Sequence, residues 1–278
     1  MPTLIELRQM ISNGEITWQD VRDNGWMKSV TNRVGKVKQP RGGYVKPRQF
    51  EKIELPGGGA EELNEIESIA PSLMGLTVDY LTRVVSGTDP AIVFDAAYKG
   101  AANCNESHVY ERLLSKVKGL DDASIESAVR LSAFDIAYRV GPYAYRSVWD
   151  IEIDFDTKDN IREMVRRSVA FLEEYGPKVF DGLTFEGGYT GYVVSGDGDF
   201  LTSDTLWDFK VSKNRITTKH TLQLLMYWRM GLHSIHPEYK SVKYLGIYNP
   251  RLNLVYRLNV DEISSDVIDE VETEVIGY

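Results

Sequence analysis

Cysteine is almost missing from this chain: Cys104 is the single one in 278 residues. One thiol excludes an internal disulfide framework and a cysteine zinc site. Long apolar runs are missing too, since none reaches the roughly 18 residues that a membrane-spanning helix needs. The opening MPTLIELRQMISNGE reads as an amphipathic start and not as a signal peptide. A cytoplasmic protein with no membrane partner is therefore expected. There is no repeat and no low-complexity segment. His220, His233 and His236 lack metal-ligand spacing, and His108 with Glu111 reads as a surface pair. Net positive charge is also absent: 32 Lys and Arg against 41 Asp and Glu leave -9. That balance counts against a simple sequence-indifferent nucleic-acid binder, whose domain is usually basic.

What the chain does have is length for a full core, as one large domain or one domain with an accessory piece. Its charge is uneven. Lys28, Arg33, Lys36, Lys38, Arg41, Lys46, Arg48 and Lys52 follow one another against Glu51 alone. Pro40-Arg41-Gly42-Gly43-Tyr44 and Pro47-Arg48 make this stretch an extended arm. Its cations could neutralise phosphates while Tyr44 stacks on a base; a solvated linker balancing an acidic body fits equally well. Before it, Thr3 to Asn13 has the spacing of a short amphipathic helix, and Thr17 is an N-cap for Trp18 to Arg22 with Asp20 reaching back to it. After it, Leu55-Pro56-Gly57-Gly58-Gly59 is the best linker. The expected division is 1–55, a helical segment with the basic arm, and 56–278, the main domain.

From Ala60 to Tyr175 the pattern predicts helices over Ala60–Ile69, Pro71–Ser86, Pro90–Gly100, Glu106–Leu114, Asp122–Val140 and Lys158–Tyr175. Trp149, Ile151 and Ile153 alternate with acids, which predicts a strand over Ser147–Phe155. Strands follow over Leu183–Tyr189, Gly191–Leu201 and Thr205–Val211, then an apolar helix, then a hairpin of Val242–Tyr248 and Leu252–Leu258 through Asn249-Pro250-Arg251. Ser264 to Gly277 reads as an acidic helix.

The densest chemistry lies between Ser195 and Tyr227. In a strand, side chains alternate between faces, so Asp208 and Lys210 point one way with Leu206. Trp207, Phe209 and Val211 point the other way, onto a core. Thr202-Ser203-Asp204 is a plausible hairpin turn. It would bring Asp199 and Asp208 onto adjacent strands, close enough to share a cation, and two carboxylates plus waters suit Mg²⁺. A metal so held activates water and stabilises charge on a phosphate. Gln223 and Tyr227, four apart, share a helical face. Lys213, Arg215, Lys219 and His220 lie between. The same residues also fit plainer roles, as turn aspartates, a same-face ion pair and a hydrogen-bonded core glutamine. A calcium loop at Asp197-Gly198-Asp199 fails, because Leu201 stands where an oxygen ligand is needed.

Gly196-x-x-Asp199, Asp208-x-Lys210 and Gln223-x-x-x-Tyr227, in this order, resemble the signature of the PD-(D/E)XK nucleases, RecB-like exonuclease-type branch. The resemblance spans Gly182 to Pro250. It implies an α/β (α+β) restriction-endonuclease-like core, a mixed sheet flanked by helices, with a helical N-terminal region. It implies Asp199 and Asp208 as ligands of Mg²⁺ or Mn²⁺, Lys210 assisting the attacking water, and Gln223 and Tyr227 positioning substrate and site. The substrate would be DNA, single-stranded or with free ends. Relatives often add one more acid, for which Glu174 and Glu186 are the candidates. With one cysteine, the four-cysteine iron–sulfur cluster of some relatives is excluded. Two departures stand out: the Asp199–Asp208 spacing demands a tight hairpin, and the acid before x-Lys is Asp where Glu is more usual. The competing expectation is a catalytically inactive nucleic-acid-binding or protein-interaction module on the same fold.

Overall fold

The computed structural model describes residues 9–17, 20, 28–55 and 62–278. Its elements, in chain order, are α1 (Val30–Lys36), β1 (Glu51–Glu54), α2 (Pro71–Val85), α3 (Asp95–Asn103), α4 (Ser107–Leu114), α5 (Asp122–Val140), α6 (Phe155–Tyr175), β2 (Phe180–Leu183), β3 (Gly198–Leu201), β4 (Thr205–Phe209), α7 (Thr218–Leu232), β5 (Tyr244–Asn249), β6 (Leu254–Asn259) and α8 (Ser265–Glu270). The six strands form one mixed sheet in the order β1-β6-β5-β4-β3-β2. Only β4 and β5 run parallel; the other neighbours are antiparallel.

Alternation along β4 decides what covers each face. Leu206, Leu201, Leu245 and Ile247 lie in the core shared with Leu222, Leu225 and Met226 of α7. Trp207, Phe200 and Tyr248 lie in a second cluster around Phe171 of α6. The Phe171 ring stacks on Tyr248 at 4.1 Å and meets Trp207 edge-on at 4.8 Å. A third cluster joins α2 to α6 as a helical layer. Gly246 on β5 stands opposite Trp207; a Cβ there would sit 2.3 Å from Trp207 Cε3, so the indole can lie flat only over a glycine.

The sheet with its flanking helices is the expected α/β arrangement. The helices predicted from Pro71, Asp122 and Lys158 form, as does the β5–β6 hairpin. The strand predicted over Ser147–Phe155 does not. Ser147 caps a 3₁₀ turn at Val148–Asp150, and Asp154 caps α6, accepting from Thr157 N at 2.7 Å. Of the alternating acids Asp154 is a helix cap, and the apolar residues make contacts: the guanidinium of Arg112 lies over the Trp149 ring at 4.5 Å. The described part of Ala60–Ile69 is also not helical. Its backbone is taken up by α6 instead, with Asn64 N donating to Asn160 Oδ1 at 2.7 Å and Ser68 N to Thr157 Oγ1 at 2.8 Å. Of the predicted strands Leu183–Tyr189 and Gly191–Leu201, only Phe180–Leu183 and Gly198–Leu201 pair as strands.

At the N-terminus, residues 9–12 are helical. The Thr17 and Asp20 cap is present, Thr17 N donating to Asp20 Oδ2 at 2.7 Å and Asp20 N to Thr17 Oγ1 at 3.2 Å. The remainder of both predicted helices, and most of the linker after Leu55, lie outside the described residues. The basic stretch is built into the sheet. Val30, Val34, Val45 and Phe50 belong to the α7-side core, and β1 pairs with β6. A division after residue 55 therefore separates residues that share one sheet and one core. Tyr44 packs against that core, and burial, with Glu270 next to its hydroxyl, raises its pKa. Its hydroxyl lies beside Glu270 at the end of α8. No helix among the described residues is long and apolar enough to cross a membrane.

Candidate functional site

The β3–β4 hairpin is as tight as the spacing demanded. Leu201 stands opposite Leu206 and Phe200 opposite Trp207. Thr202 N donates to Thr205 O at 3.0 Å, and Trp207 Nε1 donates to Thr202 Oγ1 at 3.0 Å. Asp204 is a structural turn residue, its carboxylate accepting from Arg257 Nη2 at 3.0 Å. The antiparallel register carries Asp199 and Asp208 onto neighbouring strands, as the sequence predicted. Asp199 Oδ2 accepts from the backbone N–H of Phe209 in a short hydrogen bond.

Asp208 is buried in mid-sheet, 2% exposed. Lys210 Nζ lies 3.0 Å from its Oδ1 and 2.9 Å from its Oδ2. Only the first contact has hydrogen-bond geometry, so Oδ2 is buried with no hydrogen bond of its own. The Lys210 backbone is fixed as well, its N–H donating to Tyr248 O at 2.9 Å. The β-strand alternation has thus put the acid and the lysine on one side, as expected.

A carboxylate that the sequence reading missed joins them. Asp79 on α2 lines, with Asp199, a cavity of about 520 Å³ between the helical layer and the β3–β4 hairpin. Gly75, one turn before Asp79, and Val211, just past β4, line the same cavity. Asp79 is the lone acid in Pro71–Val85, which was a usable signal. Arg83 at i+4 hid it, because that spacing reads as an ordinary helix-surface pair. The expected extra acids lie elsewhere: Glu174 is exposed at the end of α6, and Glu186 accepts from His236 Nε2 at 2.8 Å. Neither lines the cavity.

Burial and like charge govern the protonation here. Burial, then the Asp208 carboxylate, push Asp199 up to about 8, against the opposing Lys210 charge; Asp79 adds to the rise. Burial raises Asp79 too, opposed by Arg83 and Lys178. Burial works against the Lys210 charge, but Asp208 and Asp199 outweigh it, and its pKa is raised. Burial and the nearby Lys210 charge lower His220, placing this histidine close to the pair. Its Nδ1 accepts from Thr217 N at 3.3 Å and so helps start α7.

Gln223 and Tyr227 act together. Gln223 Nε2 donates to Tyr227 Oη at 2.7 Å, and Tyr227 Oη donates to the Asp197 carbonyl at 2.9 Å. Phe185 stacks on the Tyr227 ring at 5.1 Å. Burial holds the phenol protonated, well above its ordinary value. The α7 pair therefore fastens the turn that leads into Asp199. The other side of that turn is held by Arg139 of α5. Its guanidinium donates to Asp197 Oδ2 at 2.9 Å and to the buried Asp135 at 2.6 Å.

The donor set matches hard divalent cations, which take carboxylate and water oxygens. Asp208 Oδ2 has an open lone pair in a buried position, and Asp199 engages one backbone N–H. Among the described residues, no three or more His, Cys, Asp or Glu side chains close into a metal-binding group. Compared with protein-family models, curated proteins and solved structures, the chain matches none.

Proposed function

We propose that this chain is a divalent-metal-dependent nuclease that hydrolyses phosphodiester bonds in DNA, of the exonuclease type its motifs resemble. The observation that carries this reading is the approach of Asp199 and Asp208 on neighbouring strands, with Lys210 in contact with Asp208. Burial and the Asp208 carboxylate leave Asp199 short of positive charge. Asp199 and Asp208 would hold Mg²⁺ or Mn²⁺, with Asp79 across the cavity. When bound, such a cation acidifies water and offsets charge on the phosphate. The chain's own residues do the remainder. Lys210, kept protonated by the carboxylates, orients the attacking water. Tyr227 and Gln223 hold the turn before Asp199. The water oxygen bonds to phosphorus, the sugar oxygen leaves with the bond's electron pair, and the water's proton passes to it through solvent.

A second reading is favoured by one observation. The Lys210 ammonium spans both oxygens of Asp208, so the pair neutralises itself internally, as in a binding module without chemistry. Cleavage of linear and circular DNA with Mg²⁺ or Mn²⁺ separates the two, with wild type beside Asp208→Asn and Lys210→Ala. A nuclease degrades DNA and both variants fail; linear against circular substrate distinguishes end-directed from internal cutting. A chain that cuts neither substrate and binds no Mn²⁺ is the inactive module.

A further inference from the structure

Two basic stretches far apart in sequence meet in the fold. Residues 210–220 carry Lys210, Lys213, Arg215 and Lys219 and no acid. The arm at 38–48 carries Lys38, Arg41, Lys46 and Arg48, again without an acid. The arm is seated directly on the start of α7. Gln39 Nε2 donates to Thr218 O at 3.1 Å, and Thr221 Oγ1 donates to Val45 O at 2.6 Å. At Gly43 (φ +90°) a Cβ would lie 2.8 Å from the Thr218 side chain, so only glycine allows this approach. The loop after β4 then reaches β1: Lys213, Arg215 and Lys52 line one cavity of about 510 Å³ over the β5–β6 turn.

These cations are not spent on internal pairs. Lys38, Arg41, Arg215 and Lys219 are exposed and form no ion pair among the described residues. Lys213 donates to a backbone carbonyl, Glu65 O, at 2.6 Å, which leaves its charge uncompensated. Lys52 and Lys210 are the exceptions, paired with Glu54 at 2.8 Å and with Asp208 at 2.9 Å. At the far end of the arm Arg33 is bound to the Glu274 and Val275 carbonyls. On a chain of net charge -9, uncompensated cations gathered from two stretches around one helix start mark a surface for a polyanion.

We infer that this surface is a phosphodiester-backbone track, which carries a nucleic-acid strand from the Lys52–Lys213–Arg215 cavity past the start of α7 to Lys210. The inference deepens the nuclease reading and rests on it for the direction of the track. From β4 to β1 the sheet crosses three strand spacings, about 14 Å. At the 3.4 Å rise per strand of a duplex, that accommodates about four phosphates. The contacts are to backbone charge and select no base, as a sequence-tolerant enzyme requires.

The test is binding without cleavage: fluorescence anisotropy of labelled single-stranded DNA, duplex DNA and single-stranded RNA in EDTA over a salt series. The proteins are wild type, Asp208→Asn, and a quadruple variant with Lys38→Gln, Arg41→Gln, Arg215→Gln and Lys219→Gln. All four sites are exposed, and an unchanged Tm confirms the fold. Wild type and Asp208→Asn should bind with strong salt dependence. The quadruple variant should bind at least about tenfold more weakly, its log–log salt slope shallower by about 0.7–0.9 for each lost contact. The three oligonucleotides identify whose backbone is carried. Unchanged affinity in the quadruple variant overturns the track, as does absence of salt-dependent wild-type binding. So does competition by polyglutamate equal to that of an oligonucleotide of matched charge, which would make this a site for acidic protein. Cleavage that survives in the quadruple variant with unaltered affinity removes the track and leaves the nuclease standing; cleavage absent from wild type with binding intact removes the nuclease and leaves the track.

Discussion

The Tyr227 hydroxyl donates to the Asp197 carbonyl at 2.9 Å, and this bond ties the helix behind the sheet to the turn that delivers Asp199. Tyr227 also accepts from Gln223, so one phenol oxygen closes a chain from α7 to the backbone of the turn. Tyr227→Phe keeps the ring on Phe185 and removes only the oxygen. It leaves the Asp197 carbonyl and the Gln223 amide short of a partner. Both groups are only partly buried, so the loss should lie near the net worth of a hydrogen bond, about 0.5–1.5 kcal/mol, and urea denaturation should register it with an unchanged m-value. If the site hydrolyses DNA, the same variant should lower kcat more than it raises KM, because the turn carries Asp199 and not the substrate.

Asp199 gives the protein a pH dependence of defined sign. Its carboxyl shifts from an ordinary 3.8 to about 8 in the folded chain, through burial and the neighbouring Asp208. Between these values the unfolded chain has released the proton and the folded chain still holds it. Stability therefore falls as pH rises through this interval and levels off above about 8. Asp79, raised by burial, acts in the same sense. Asp199→Asn should flatten the profile and bring the variant above wild type at the alkaline end. Chemical denaturation across the interval checks this; a wild-type profile that climbs with pH there contradicts it. Since cation ligation requires the deprotonated acids, Mn²⁺ binding near neutral pH should release protons, read calorimetrically in buffers of different ionisation enthalpy.

How much of this was legible beforehand depended on whether local pattern and tertiary contact agreed. The β3–β4 hairpin was readable because Trp207, Phe209 and Val211 alternate with Asp208 and Lys210, and period-2 alternation survives folding whenever two faces are covered differently. The helices Pro71–Val85 and Asp122–Val140 announced themselves by proline or aspartate at their starts. Ser147–Phe155 misled because a capping acid fell in step with the alternation; what Asp154 serves is the backbone of α6. Asp79 was hidden by its own i+4 arginine, and its importance comes only from the tertiary packing that brings α2 to the cavity it shares with Asp199. The joining of the basic arm to α7 rests on Gln39, Gly43 and Thr221, residues with no charge and no motif, and no sequence pattern would have revealed it.

Gly246 should tolerate no side chain. It faces Trp207 across the parallel β4–β5 pair, and a Cβ would stand 2.3 Å from the indole Cε3. Trp207 cannot retreat, since Phe171 and Tyr175 of α6 contact its other side at 4.8 and 5.1 Å. Overpacking of a filled core costs about 1–3 kcal/mol, occasionally more. Gly246→Ala should thus lower Tm by several degrees, at about 2–4 °C per kcal/mol for chains of this size class. It should also red-shift or broaden tryptophan fluorescence as the indole, 1% exposed in the wild type, is displaced. An unaltered Tm would mean that β4 has freedom to move, and with it Asp208.

Asp79→Asn separates stability from function at the same position. In the folded chain the Asp79 carboxylate is penalised by burial, and it raises Asp199 in turn. Replacing it with the isosteric amide removes that repulsion and keeps the shape, so the variant should be more thermostable than wild type at neutral and alkaline pH, with the difference vanishing in acid where Asp79 is protonated anyway. A divalent cation between Asp199 and Asp208 would, by contrast, lose a nearby negative charge. Mn²⁺ affinity should fall by about 10- to 100-fold, the range found when groups supporting a metal site are removed. Thermal shift without metal and Mn²⁺ titration by calorimetry or electron paramagnetic resonance give the two quantities separately. Higher Tm with weaker Mn²⁺ binding is the signature of an acid kept at a cost in stability for the sake of a cation. Higher Tm with unchanged Mn²⁺ binding would place Asp79 outside the metal's reach and confine its role to the cavity wall.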